Sequence, residues 1–159
     1  MEVGKGKREK VKKLSAFILC SFCFMLYCSA FAAQKQNSKV GPIDAIVDYI
    51  FDGDTFSAHV VLENDVKISV RVRILQIDAP EMNGECDAEI EKAIAAKKRL
   101  ADLLPEGKRI QLYDVKDDKY LGRIDANVRD FDGRDIGAIM LRENHARPYS
   151  GGARVSWCD

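Results

Sequence analysis

The stretch RVRILQIDAPE, Arg71 to Glu81, begins as a strand and cannot continue as one. Arg71, Val72, Arg73, Ile74 and Leu75 alternate polar and apolar side chains, the signature of a half-buried sheet. Pro80 then ends the ladder, because it has no backbone donor and forces the residue before it into an extended conformation. The result is a fixed elbow that carries two carboxylates, Asp78 and Glu81, with the Arg73 guanidinium five residues ahead of the first. Strict alternation would put Arg73 and Asp78 on opposite faces, so the pleat must break between them if they are to act together.

Other elements are arranged around this elbow. Ile43 to Ile50 has apolar residues at 43, 46, 47 and 50, a spacing that fits a short helix as well as a strand. Asp52-Gly53 signals a hairpin turn. Thr55 to Leu62 reads as the returning strand, Glu63 to Asp65 as the next turn, and Lys67 to Leu75 as the third strand of a meander. Glu89 to Leu104 is the clearest helix, with acids in its first turn, apolar residues at 90, 93, 94, 96, 100, 103 and 104, and Pro105 and Gly107 beyond its end. Arg109 to Val115 and Ile124 to Arg129 are further strands on either side of a charged loop, Lys116 to Leu121. A short helix follows from Ile136 to Glu143, and the chain from Arg147 reads as an irregular tail. This order predicts a mainly β, α+β fold: a small barrel of five strands, a long helix between the third and fourth, and a short C-terminal helix.

The 159 residues hold one domain and one modest core. Residues 1–32 read as a signal peptide: six basic residues lie between Lys5 and Lys13, then the apolar run Leu14 to Tyr27, then the small-x-small site Ala30-Phe31-Ala32. The competing reading is an uncleaved membrane anchor. Residues 33–40 are a polar tether, and 41–159 form the domain. Removal of the signal leaves 19 basic and 23 acidic residues, a balance of −4, without the basic excess that gives nonspecific nucleic-acid binders their affinity. A local basic groove is still compatible with that balance. Of five cysteines only Cys86 and Cys158 remain after cleavage, a pair that an oxidising compartment would join. A zinc site lacks its four ligands, and His59 and His145 read as structural.

RILQIDAPE, the earlier Asp52-Gly53-Asp54-Thr55 and the later Asp118 to Arg123 (DKYLGR) occur in an order that resembles the staphylococcal nuclease (thermonuclease) family. The likeness runs from about Ile43 to Tyr149. It implies strands at Ile43 to Ile50, a partly open five-stranded barrel of the OB type, and an exported monomeric nuclease, periplasmic or secreted, that cuts DNA and RNA with Ca²⁺ and needs no stable protein partner. Carried over residue by residue, the metal ligands are Asp54, Asp78 and the Ala79 carbonyl. The catalytic residues are Arg73, Glu81 as general base, and Arg123. Lys119, Tyr120 and Tyr149 are substrate contacts.

Two positions depart from the family pattern. Ala79 lacks the hydroxyl of the threonine usual there, and Leu121 lengthens the loop before Arg123 by one residue. The ten residues after Tyr149 also leave no room for the family's further helix. The competing reading is a catalytically silent barrel that binds nucleic acid or protein. A silent copy would be expected to lack some of Asp54, Arg73, Asp78, Glu81 and Arg123, and all five are present.

Overall fold

Apolar side chains at every second position, Phe56 and Ala58 on one strand and Val72 and Ile74 on the next, give the sheet one inner face, and a single core closes around it. The computed structural model describes residues 42–62 and 65–158, all within one compact unit. The signal peptide or anchor and the tether lie outside the described residues. The chain order is β1 (Ile43–Ile50), β2 (Thr55–Val61), β3 (Lys67–Ile74), β4 (Ile77–Asp78), α1 (Asp87–Leu103), β5 (Arg109–Asp117), β6 (Arg123–Asp130), α2 (Ile136–Arg142) and β7 (Arg147–Pro148).

Five of the strands form a closed barrel in the order β1-β2-β3-β6-β5, with β1 returning to β5. The expected α+β barrel of the OB type is therefore present, closed rather than partly open. One seam, β3 against β6, is parallel: Arg71 lies opposite Arg123 and Arg73 opposite Asp125. The long crossover between those two strands carries α1 and β5.

The ambiguous first segment is a strand. Ala45 and Val47 face the core, the register shifts between Val47 and Tyr49, and Ile50 faces the core beyond that bulge. The bulge converts an odd-numbered inner face into an even-numbered one and so mimics helical spacing. In α1, Ala93, Ala96, Leu100 and Leu103 form the buried stripe, whereas Ile94 is exposed. The helix starts two residues before Glu89, at Asp87 directly after Cys86, and Leu104 is its C-cap. The fourth barrel strand, β5, runs on to Asp117, into what the sequence suggested was loop.

The tail also differs from its expected form. Arg147 and Pro148 pair antiparallel with Asp78 and Ile77 as β7 against β4, so the stretch after α2 is stitched to the elbow. Cys86 and Cys158 are joined by a disulfide, with Cα atoms 5.9 Å apart, which fixes Cys158 beside the start of α1.

Candidate functional site

The predicted break in the pleat lies at Gln76. Its φ of 65° is a left-handed turn conformation uncommon for a residue other than glycine, and it reverses the facing of side chains between Arg73 and Asp78. Leu75 donates its N–H to Ala126 O at 2.9 Å, which anchors that turn to β6. Arg73 and Asp78 therefore project into the same space.

Asp54 reaches that space from the β1–β2 turn. Gly53 permits this by its lack of a side chain: a Cβ there would lie 2.7 Å from the Cβ atoms of both Ala79 and Ala96, between the elbow and α1. The glycine in the predicted hairpin turn thus serves a close approach of backbones, and its φ is not positive.

Asp54 is buried, 4% exposed. Its Oδ1 accepts from Thr55 Oγ1 at 2.8 Å and Arg73 Nη1 at 3.0 Å, and its Oδ2 accepts from the Ala79 N–H at 3.0 Å. Burial dominates its ionisation, with Arg73 opposing and Asp52 reinforcing, and the carboxyl's pKa is raised from 3.8 to about 6. Two hydrogen bonds and a guanidinium do not fully compensate this buried charge.

Asp78 is equally buried. Its Oδ2 accepts from Trp157 Nε1 at 3.4 Å. Its Oδ1 accepts no hydrogen bond at all. Arg73 Nη2 at 3.6 Å and Arg154 Nε at 2.9 Å are close enough to attract it, but no N–H is aimed at the oxygen. A buried carboxylate oxygen left without a donor is expensive. Asp125, opposite Arg73 on β6, has a second such orphaned Oδ1, and burial followed by the charge of Asp118 raises its pKa. Oxygen-only donors with an open lone pair are the set a hard divalent cation takes. A second cluster, Cys86, Glu89 and Cys158, also has metal-ligand proximity, but its two sulfurs are bonded to each other.

The remaining predicted residues line one open cleft of about 1180 Å³, with Arg73, Glu81, Lys119, Tyr120, Arg123 and Tyr149 all on its wall. Glu81 is exposed at its rim. Arg123 is held by the Asp118 carboxylate and stacks on the Tyr120 ring, with Cζ 4.6 Å from the centroid. Burial opposes the charge on Asp118, yet the hydrogen bond from Arg123 and the Tyr120 N–H outweigh it, and its pKa is lowered. The extra residue Leu121 projects fully into solvent, so the longer loop still leaves Arg123 on the cleft wall. Lys119 Nζ lies 4.9 Å from the Tyr120 ring. Tyr149 is tied down by its N–H to Gln76 O at 2.9 Å and its hydroxyl to Gly152 O at 2.8 Å. His59 sits apart, paired with Asp48 across β1 and β2 at 2.5 Å.

Sequence reasoning missed four residues here. Glu89 read as an ordinary first-turn acid, but it is buried and accepts the N–H groups of Glu81 at 3.3 Å and Glu85 at 3.0 Å, which clamps the loop after the elbow. Asp125 carried no signal beyond its place in a strand, Ile124 to Arg129. Arg154 and Trp157 lay in a segment without periodicity, and only the disulfide and β7 pairing bring them to Asp78. No family model matches this chain, and no curated protein matches it.

Proposed function

We propose that the protein is an exported, Ca²⁺-dependent nuclease that hydrolyses phosphodiester bonds of DNA and RNA with little sequence preference. The observation that carries this reading is Asp78 Oδ1, a buried carboxylate oxygen without a hydrogen bond beside a cleft walled by arginines and tyrosines. The motif order that resembles the staphylococcal nuclease family supports the same reading, and the disulfide supports an oxidising compartment.

Asp54, Asp78 and the Ala79 carbonyl would hold the ion. An ion held there would offer positive charge to the scissile phosphate and lower the pKa of an adjacent water. Glu81, at the rim of the cleft, would accept the proton of the attacking water. Arg73, already fixed between Asp54 and Asp78, meets the developing negative charge on the phosphoryl oxygens, and a preorganised donor of that kind gives up little on reaction. Arg123 offers a second planar fork from the opposite wall. Tyr120 and Tyr149 offer aromatic faces for bases, and Lys119 adds charge for the backbone.

Incubation of the purified domain with single-stranded DNA tests the reading. Calcium should support cleavage, chelator should abolish it, and Mg²⁺ should support it poorly, because two carboxylates and a carbonyl at an irregular elbow suit the looser geometry of calcium. The proposal fails if cleavage persists in chelator or is absent with every divalent ion.

A further inference from the structure

The C-terminal segment after β7 lies over the acidic centre, held there by a disulfide, hydrogen bonds, ion pairs and a cation–π contact. The disulfide pins Cys158 to Cys86. Trp157 is buried, donates to Asp78 Oδ2, and has its carbonyl bound by Lys92 Nζ at 2.7 Å. The Arg147 guanidinium covers the Trp157 ring at 3.8 Å and donates to Ser156 O at 2.7 Å. Arg154, in the middle of this strap, has its Nε 2.9 Å from Asp78 Oδ1, an ion pair without an aligned hydrogen bond, and directs Nη1 to Glu81.

Four guanidiniums therefore line one cleft; Arg71 covers the Phe51 ring at 4.3 Å, and the other three differ in what they have left to offer. Arg73 is 14% exposed and committed to Asp54 and the Ile77 carbonyl. Arg123 is 22% exposed and committed to Asp118 and the Tyr120 ring. Arg154 is 40% exposed, lines the same cleft, and none of its described contacts uses Nη2. A guanidinium ion-paired with two carboxylates and left with one open pair of N–H groups is preorganised to receive a phosphate oxygen.

We propose that Arg154, delivered by the disulfide-pinned strap, is a phosphate-contacting residue of this site and holds the Glu81 carboxylate in place. The inference rests on the nucleic-acid reading above and extends it by a third arginine whose position depends on the Cys86–Cys158 bond. In the reduced protein the strap keeps only its noncovalent ties, and Arg154 loses its fixed position.

The test is binding of a fluorescently labelled single-stranded DNA decamer, followed by anisotropy in chelator, so that no hydrolysis enters the readout. Arg154→Ala should weaken binding about tenfold and flatten the plot of log K against log salt by about 0.7, the increment for one lost phosphate contact on a single strand. Arg154→Lys should keep most of the salt slope while losing part of the affinity, as a point charge replaces a fork. Reduced wild type should bind like Arg154→Ala, and reduction of Arg154→Ala should change nothing further. Arg109→Ala, outside the cleft, should bind like wild type. An unchanged salt slope in Arg154→Ala would overturn the phosphate contact, and full affinity in the reduced wild type would overturn the role of the bond. A protein that binds as expected yet cleaves nothing with calcium would contradict the nuclease reading alone.

Discussion

Two regions of this barrel bury aspartates, and they treat them in opposite ways. At the β6–α2 turn, Asp130 is 1% exposed and saturated with donors. It accepts the N–H groups of Asp132 at 3.1 Å and Arg134 at 2.9 Å and the Arg134 Nε at 2.7 Å, with Lys108 Nζ at 3.6 Å. Burial works against its charge, but the Arg134 backbone and side chain win, and its pKa is lowered. At the elbow, Asp54 is as deeply buried, yet its pKa is raised to about 6, and its neighbour Asp78 has an oxygen without a donor. A carboxylate whose environment completes its charge holds a turn together. One whose environment leaves the charge incomplete is an opening for a ligand.

The largest expected effect lies in turnover. Arg73→Ala and Glu81→Gln should each lower the cleavage rate by roughly 10²-fold or more, the scale of a lost transition-state donor or proton acceptor. Asp130→Asn, in the satisfied turn, should leave the rate of the folded protein unchanged. Equal losses at the two regions would erase the contrast.

Next in size is the dependence of stability on pH in chelator. Asp54 has a folded pKa above its unfolded one, so the folded state holds a proton that the unfolded state releases between 3.8 and about 6. Its contribution is present below about pH 4 and is lost as pH rises through about 6, a difference of about 3 kcal/mol. Asp130 has the opposite sign: its stabilisation is present above the ordinary carboxylate pKa and disappears as pH falls below it. Urea unfolding of wild type and Asp54→Asn at pH 4 and pH 7 should show the first slope only in wild type.

The smallest of these effects is structural. Asp130→Ala leaves two backbone N–H groups and the Arg134 side chain without their acceptor, and should destabilise by about 2 kcal/mol at pH 7, read from the shift in urea midpoint. A loss within 0.5 kcal/mol would mean that the turn does not depend on its carboxylate.

Much of this contrast could be read from residues in order. Val72, Ile74 and Pro80 specify a strand that stops, and the opposed facing of Arg73 and Asp78 requires the break that Gln76 supplies. The helix stripe Ala93, Ala96, Leu100 and Leu103 was equally plain. Less legible was β1, because a bulge scrambles its period. The contributions of Asp125, Arg154 and Trp157 were hidden for a different reason, since each depends on contacts between segments distant in sequence, whereas that of Glu89 depends on the loop after the elbow folding back onto the helix start. Trp157 meets Asp78 across 79 residues, and no local pattern encodes that meeting.

Isothermal titration of Ca²⁺ into the wild-type, Asp78→Asn and Asp130→Asn proteins tests the central claim, that the incompletely compensated carboxylates at the elbow form a cation site. One binding event is expected in the wild type and in Asp130→Asn, and none in Asp78→Asn. Absence of binding to the wild type, or equal binding by Asp78→Asn, would contradict it.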